Sequence, residues 1–309
     1  MDNQPRIVVI GGASLDIKGR LRGPFRPGTS NAATIQISIG GVGRNIAENL
    51  ARLGTPVSLI AAVCADDFGR AIVQHTAAAG VDTSALITTC DQRSASYIAM
   101  LGHDGSLLGG LDDSHAARAI EPAHIEAQAA LLQHADMVVI DANLSRSTAK
   151  TVLDVCDAAD VPVAFEPVAY NLAERFTDVL DRFYLVTPNE LEAEALTGIT
   201  VHDVETATAA AQKLVADGVD IALVTLAQQG FVYASMDEVG HVPAQPVDIV
   251  DPTGAGDALA AVVIYALTND IPLGEAIYLG QIAATMTLQS PETVTPELSL
   301  EYLYAQLEL

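Results

Sequence analysis

Asp251-Pro252-Thr253-Gly254-Ala255-Gly256-Asp257 is the stretch on which the reading of this chain turns. It lies between a β-like run at 247–250 and an apolar stretch that begins a helix near Ala258. Small residues at 254 to 256 allow a tight turn and leave backbone N–H groups exposed. With a helix following at once, those groups face the positive end of its dipole. That is a place for a phosphate, or for charge developing on a transferring phosphoryl group. Asp257 has two readings here. It can cap the helix, or, beside an anion hole, it can deprotonate an alcohol that attacks a γ-phosphate.

Outward from this turn, short β-branched runs alternate with helical patterns. Strands are expected at 6–10, 56–63, 137–141, 161–165, 183–186 and 221–226. Helices are expected at 43–53, 66–79, 147–159 and 204–216. Gly54, Gly80 and Gly218 close three of them, and Ser145 or Ser147 caps the one at 147. This rhythm predicts an α/β fold with a central, mostly parallel sheet flanked by helices. Residues 16–38 and 94–108 break it. Both read as exposed antiparallel strands, the second turning at His103-Asp104-Gly105, and they are expected to pair as a small sheet over one edge.

The 309 residues are enough for one to two domains with a large core. Fifteen Lys and Arg against 39 Asp and Glu give a formal charge of −24. That excludes a general nucleic-acid binder and a protein docked on an anionic membrane, but not a nucleotide site. Cys64, Cys90 and Cys156 are odd in number and widely spaced, as reduced core thiols are. The polar start (Met1 to Pro5) has no basic leader, and the apolar stretch 258–267 ends at Thr268-Asn269-Asp270, short of a membrane span. A soluble cytoplasmic protein is expected.

Two further motifs carry chemistry. Gly40-Gly41-Val42-Gly43-Arg44-Asn45 leads into the helix at 43–53 and lets a ligand approach the backbone closely. It is not a dinucleotide fingerprint, because position 46 is Ile, and none of the three lysines completes a P-loop. Arg44 itself reads as a helix-start surface residue. Thr187-Pro188-Asn189-Glu190-Leu191-Glu192 follows a strand. Asn189 and Glu192, three apart, form either a capping box or a pair that orders water around a divalent metal on nucleotide phosphates.

These motifs, in this order and over nearly the whole chain, resemble the ribokinase-like (PfkB) sugar and nucleoside kinases. The resemblance implies one domain, 1–309, whose insertions at about 15–38 and 94–110 form a β-lid. It implies that Asp257 is the catalytic base and that Gly254, Ala255 and Gly256 form the anion hole. It places Asp16, Gly41 and Asn45 on the sugar hydroxyls, and Asn189, Thr225, Gly230 and Thr253 near the nucleotide. ATP and Mg²⁺ are implied, with Glu192 acting on the metal through water, and K⁺ at Asp251 beside Thr253. A homodimer through the lid is also implied. Two departures stand out. Ala227 occupies a position where the family often has glycine, and 280–285 lacks the family's usual Ala/Asn-rich character.

Within the family, 38–49 is most similar to the pseudouridine kinases, whereas ribokinases commonly carry Gly-Lys-Gly-Ala-Asn there. Ser94-Ala95-Ser96-Tyr97, 141–145 and 292–299 continue that similarity. Ser14, Ser96 and Asn143 are candidates for the uracil edge, or ordinary turn and cap residues. Tyr97 either covers a base or packs under the lid, and the histidines read as surface or lid residues. Ile35, Ile37, Ile98 and Met100 face a partner subunit or their own core. The expected reaction is ATP-dependent phosphorylation of the 5′-hydroxyl of pseudouridine. The alternatives are another sugar or nucleoside kinase (ribose, adenosine) and a non-catalytic sugar-binding protein on the same fold.

Overall fold

This computed structural model describes residues 4–89 and 93–307, so Cys90 lies outside the described residues. Its strands run in chain order as β1 (Ile7–Ile10), β2 (Ser14–Leu21), β3 (Ala33–Gly40), β4 (Val57–Ile60) and β5 (Ala62–Cys64). There follow β6 (Ile87–Thr89), β7 (Ala95–Leu101), β8 (Leu107–Asp113), β9 (Met137–Asp141) and β10 (Val163–Glu166). The series closes with β11 (Leu185–Val186), β12 (Ile221–Thr225), β13 (Phe231–Ser235) and β14 (Val239–Val242). Eight of them form one sheet in the order β14-β13-β12-β11-β10-β9-β1-β4, parallel from β12 to β4 and antiparallel at the β13–β14 end.

The sheet is buried on both faces, as its composition requires. In β1, Val8 and Ile10 join Val138 and Ile140 of β9 in one core cluster. Ile7 and Val9 join Met137 and Val139 in the other. Successive side chains point to opposite faces, so a strand covered by helices on both sides must be apolar throughout. The parallel strands all end on one edge of the sheet. There Gly11, Asp141, Glu166, Thr187 and the segment after Thr225 are gathered, the usual place for a ligand in an open α/β sheet.

Helix limits follow local chemistry. Ser145 caps Arg146–Asp157, its Oγ accepting the Thr148 N–H. Asp66 does the same for Asp67–Ala78 through Gly69 N–H. Val204–Ala216 forms where expected. Three strand expectations change. The run 56–63 divides at Ala61, because β4 pairs with β1 while β5 departs to pair with β6. The strand expected at 183–186 shortens to Leu185–Val186. Residues 247–250 are not a strand. Val250 and Asp251 donate to the carbonyl of Leu288 rather than to a neighbouring strand, and Pro246 has no N–H to give.

The two interruptions of the rhythm form a separate four-stranded sheet, β3-β2-β7-β8. Each hairpin is antiparallel, and the two join through parallel pairing of β2 with β7. Register sorts its side chains. Ser14, Asp16 and Lys18 share a face with Ser38, Gln36, Tyr97 and Ala99. Ile17 stands on the other face in a row with Ile37, Ile98 and Leu111.

Candidate active site

The helix Ala255–Thr268 begins at Gly254, which sits at φ 88°. A Cβ there would lie 2.0 Å from the carbonyl oxygen of Thr293, so only glycine fits. Among the described residues, the N–H groups of Gly254, Ala255, Gly256 and Asp257 have no hydrogen-bond acceptor. They are the free donors of a helix start. A Cβ on Gly256 would meet nothing within 4 Å, so this side of the turn is open to a ligand.

Asp257 is the third residue of the helix and not its cap. Its carboxylate is buried and accepts from Asn45 Nδ2 at 2.6 Å. Burial pushes its carboxyl up to about 6, against the opposing pull of the Asn45 bond and the Arg44 charge. Asp141 and Asp16 add to the rise. A carboxylate of this kind accepts protons near neutral pH while remaining largely ionised there.

Asn45 and Arg44 come from the helix Val42–Arg52, entered through Gly41 at φ 94°. A Cβ on Gly41 would press on Gly12 and Ala13 at 2.6 Å, so the glycine run lets two backbones touch. Arg44 is not the surface residue expected from its position: it is 1% exposed. It donates to the carbonyls of Ile39 and Gly40, to Glu48 and to Asn45 Oδ1. It therefore fixes which way the Asn45 amide points, leaving the amide nitrogen for Asp257. Glu48 also takes Arg52 and the half-exposed His75; burial works to raise its carboxyl, and the bonds from His75 and Arg52 with the charge of Arg44 hold it at about 2.

Asp16 sits on β2 facing this pair. It is buried, accepts from Ser14 Oγ at 2.9 Å, and is pushed upward by burial. Gly40 is the residue that gives it room, since a Cβ there would lie 2.1 Å from Asp16 Oδ2. Asn143 stands close by, its side chain against Gly12 and its N–H on Asp141 Oδ1. Ser96 is not brought to this site. Its register with Leu15 puts it on the opposite face from Asp16, and Tyr97 takes the inward position.

On the far side of the helix start, Asn189 and Glu192 form a full capping box. Asn189 N–H and Nδ2 donate to the two oxygens of Glu192, at 2.9 and 2.7 Å, and Glu192 N–H returns to Asn189 Oδ1. The capping reading is thus realised, yet the carboxylate is also buried and pushed up to about 7 by that burial. Beside it stands Glu166, which the sequence reading missed. It accepts from Thr187 Oγ1, and burial with the charges of Glu192 and Asp257 drives its carboxyl well above the usual range. Its one signal in the sequence was its place as the last residue of a strand in a parallel series. Two carboxylates under this strain suit a divalent cation that keeps most of its water. No cluster of three or more metal-ligating side chains occurs among the described residues.

Thr225 lies at the end of β12, bridged to Asn189. Gly230 follows at φ 88°, where a Cβ would strike the carbonyl of Val242 at 1.9 Å. Ala227 holds φ 44°, the left-handed region, so the absent glycine costs backbone strain. Gly280 packs the helix Leu273–Leu288 closely against Leu259 and Val263 of the Asp257 helix. The two oxygens of Asp251 are committed, one to Thr253 N–H at 2.9 Å and one to Lys18 Nζ at 2.6 Å.

The family model for pfkB carbohydrate kinases matches residues 4–299. Pseudouridine kinase of Escherichia coli K12 is 29% identical over 309 residues, covering 100% of this chain and 98% of that protein. Guanosine-inosine kinase of Exiguobacterium acetylicum is 29% identical over 296 residues, 95% and 98% of the two chains. Among solved structures, a carbohydrate kinase from Agrobacterium tumefaciens superposes with a TM-score of 0.84 at 30% identity, over 99% of this chain and 97% of that one. Arabidopsis thaliana ribokinase with ribose and ATP superposes with a TM-score of 0.86 at 22% identity, over 99% of each chain.

Proposed function

Since this chain belongs to the pfkB family of carbohydrate kinases, we propose that it transfers the γ-phosphoryl group of ATP to the 5′-hydroxyl of pseudouridine. The observation that carries the phosphotransfer reading is Asp257, a buried carboxylate near 6 on the first turn of a helix whose leading N–H groups are free. The Arg44-bearing glycine run, and the similarity to the Escherichia coli enzyme, support the choice of nucleoside.

In this reaction the small sheet forms a lid, and Asp16 and Asn45 hold the ribose with its 5′-oxygen toward Asp257. The hydroxyl proton passes to the Asp257 carboxylate as the oxygen bonds to the γ-phosphorus. The bond to the β–γ bridging oxygen breaks, and ADP leaves. The N–H groups of residues 254 to 256 receive the charge spread over the moving phosphoryl. Glu166 and Glu192 would hold Mg²⁺ through water, and the ion offsets charge on the ATP phosphates. Ser14, Asn143 and Tyr97 flank the space above Asp16 and are our choice for the base edge. The equal identity to the guanosine-inosine kinase makes a purine nucleoside the second reading.

A panel of pseudouridine, uridine, guanosine, adenosine and ribose with ATP tests the choice. Pseudouridine should have the highest kcat/KM, and preference for guanosine or ribose would overturn it. We also propose a homodimer through the outward face of the lid, where Ile37, Ile98 and Leu111 are 63, 43 and 70% exposed. Light scattering should give twice the chain mass, and Leu111→Asp should halve it. No helix of the described residues is long and apolar enough to cross a membrane. The buried free thiols of Cys64 and Cys156 support a reducing, cytoplasmic setting.

A further inference from the structure

Lys18 and Asp251 are 233 residues apart in sequence, yet they form an ion pair at 2.6 Å, with side chains 6 and 12% exposed. Lys18 belongs to β2 of the small sheet. Asp251 opens the turn that ends in Gly254, and through Thr253 N–H it helps shape that turn. The other two contacts between this sheet and the wall of the turn are uncharged: Gln36 Nε2 with the Pro291 carbonyl at 2.8 Å, and Thr293 Oγ1 with the Ile39 carbonyl at 2.9 Å. Among the described residues, Lys18 is therefore the one charged side chain of the small sheet that bonds to the turn, and its cation answers the like charge that Asp16 brings on the same face.

The placement is electrostatically pointed. An ionised aspartate at the lip of an anion hole repels the group that the hole exists to receive. Lys18 Nζ donates to one Asp251 oxygen and the Thr253 N–H to the other, so the carboxylate is held at the hole against its cation. That cation is carried two residues along the same strand face as Asp16, the residue assigned to the acceptor alcohol.

We propose that Lys18 is a positioning residue that ties the charge of the anion hole to the seating of the small sheet. With the sheet seated, the ammonium cancels Asp251 and the hole accepts the phosphoryl group. With the sheet lifted, Asp251 is bare and the hole rejects it. Because Asp16 rides on the same strand, the hole is competent only when the acceptor is in place, and transfer to water is suppressed. This rests on the kinase and lid readings above.

Four proteins test it: wild type, Lys18→Met, Asp251→Asn and the double variant. Lys18→Met should lower kcat about tenfold to hundredfold, because it leaves an unpaired carboxylate at the hole. The double variant should recover to within several-fold of wild type. Asp251→Asn and the double variant should both show a several-fold higher ratio of acceptor-free ATP hydrolysis to nucleoside phosphorylation. A double variant no faster than Lys18→Met would mean that Lys18 is needed for a contact of its own, and would overturn the proposal. So would an unchanged hydrolysis ratio. Hydrogen exchange gives a readout free of the substrate assignment. Lys18→Met should speed exchange together in 14–21 and 251–256, and a change in one segment alone, or in neither, overturns the coupling even if no acceptor in the panel is phosphorylated by wild type.

Discussion

Two buried carboxylates flank the start of the helix Ala255–Thr268, and they are held in opposite ways. Asp257 takes one side-chain bond, from Asn45, and keeps its second oxygen uncommitted. Glu192 has both oxygens engaged by Asn189 within a capping box. Burial raises both, to about 6 and about 7. An acid–base group needs a free oxygen to approach a hydroxyl. A group that orders a hydrated metal needs a fixed oxygen that does not move. The difference in tethering, rather than in acidity, is what separates the two roles we propose for them.

The comparison breaks most sharply at Asp257. Asp257→Asn keeps the size and one hydrogen-bonding oxygen but cannot accept the proton. We expect kcat to fall about 10³ to 10⁴-fold, with nucleoside binding by calorimetry retained. Turnover within tenfold of wild type would remove Asp257 from the role of base.

Arg44 tests the Asp257 side alone. Arg44→Met frees the Asn45 amide to rotate and removes a cation that favours ionised Asp257. Asp141 and Asp16 press on the same carboxylate with like charge, as do Glu166 and Glu192 across the helix start. Losing the opposing charge of Arg44 must therefore raise Asp257 further. The acidic limb of the kcat profile should move to higher pH, with kcat down about tenfold to a hundredfold. Stability should fall by about 3 kcal/mol in denaturant, because Glu48 loses its most buried partner. The Mg²⁺ dependence should change little, since the two sides meet through charge and no hydrogen bond joins the capping box to this network among the described residues. A shift in Mg²⁺ requirement would mean that the two sides are one unit.

The fold was legible because its signals are local and repeated. Apolar β-branched runs, helix-closing glycines and the cap at Ser145 each act within a few residues. The turn from Asp251 to Asp257 was legible for the same reason: a glycine that must adopt positive φ and a helix that begins at once leave few alternatives. What escaped the sequence was made by long-range pairing. Arg44 reads as a surface residue until the carbonyls of Ile39 and Gly40 and the side chain of Glu48 are seen around it. Lys18 carries no motif, and its meaning comes from a partner 233 residues away. Ser96 and Tyr97 are adjacent, so a one-residue choice of register decided which of them faces Asp16, and nothing local fixes that choice. Glu166 had only its position at a strand end to mark it.

Glu192→Gln separates charge from tether on the other side. Glutamine keeps one oxygen for the Asn189 N–H and loses the bond from Asn189 Nδ2, so the melting temperature should fall by only a few degrees. The lost charge should raise the Mg²⁺ concentration for half-maximal rate several-fold and lower kcat about tenfold. Rescue at high Mg²⁺ would sharpen the assignment, whereas a loss that Mg²⁺ does not restore would move Glu192 from metal ordering to a purely structural role.

The smallest effect links the two carboxylates to stability. For both, the folded value lies above the ordinary one, so the folded chain holds a proton that the unfolded chain has already lost. Between pH about 4 and about 7 the native state binds more protons, and stability from these groups rises as pH falls. If Asp257 is the base as proposed, activity should fall over the same interval, most steeply below pH 6. Asp66, Asp82 and Glu48, all held below their ordinary values, reverse the stability trend only at lower pH. The melting temperature of wild type should therefore gain more between pH 7.5 and pH 5.5 than that of Asp257→Asn, by a few degrees. Equal gains in the two proteins would mean that Asp257 titrates near its ordinary value, and its assignment as a poised base would lose its physical ground.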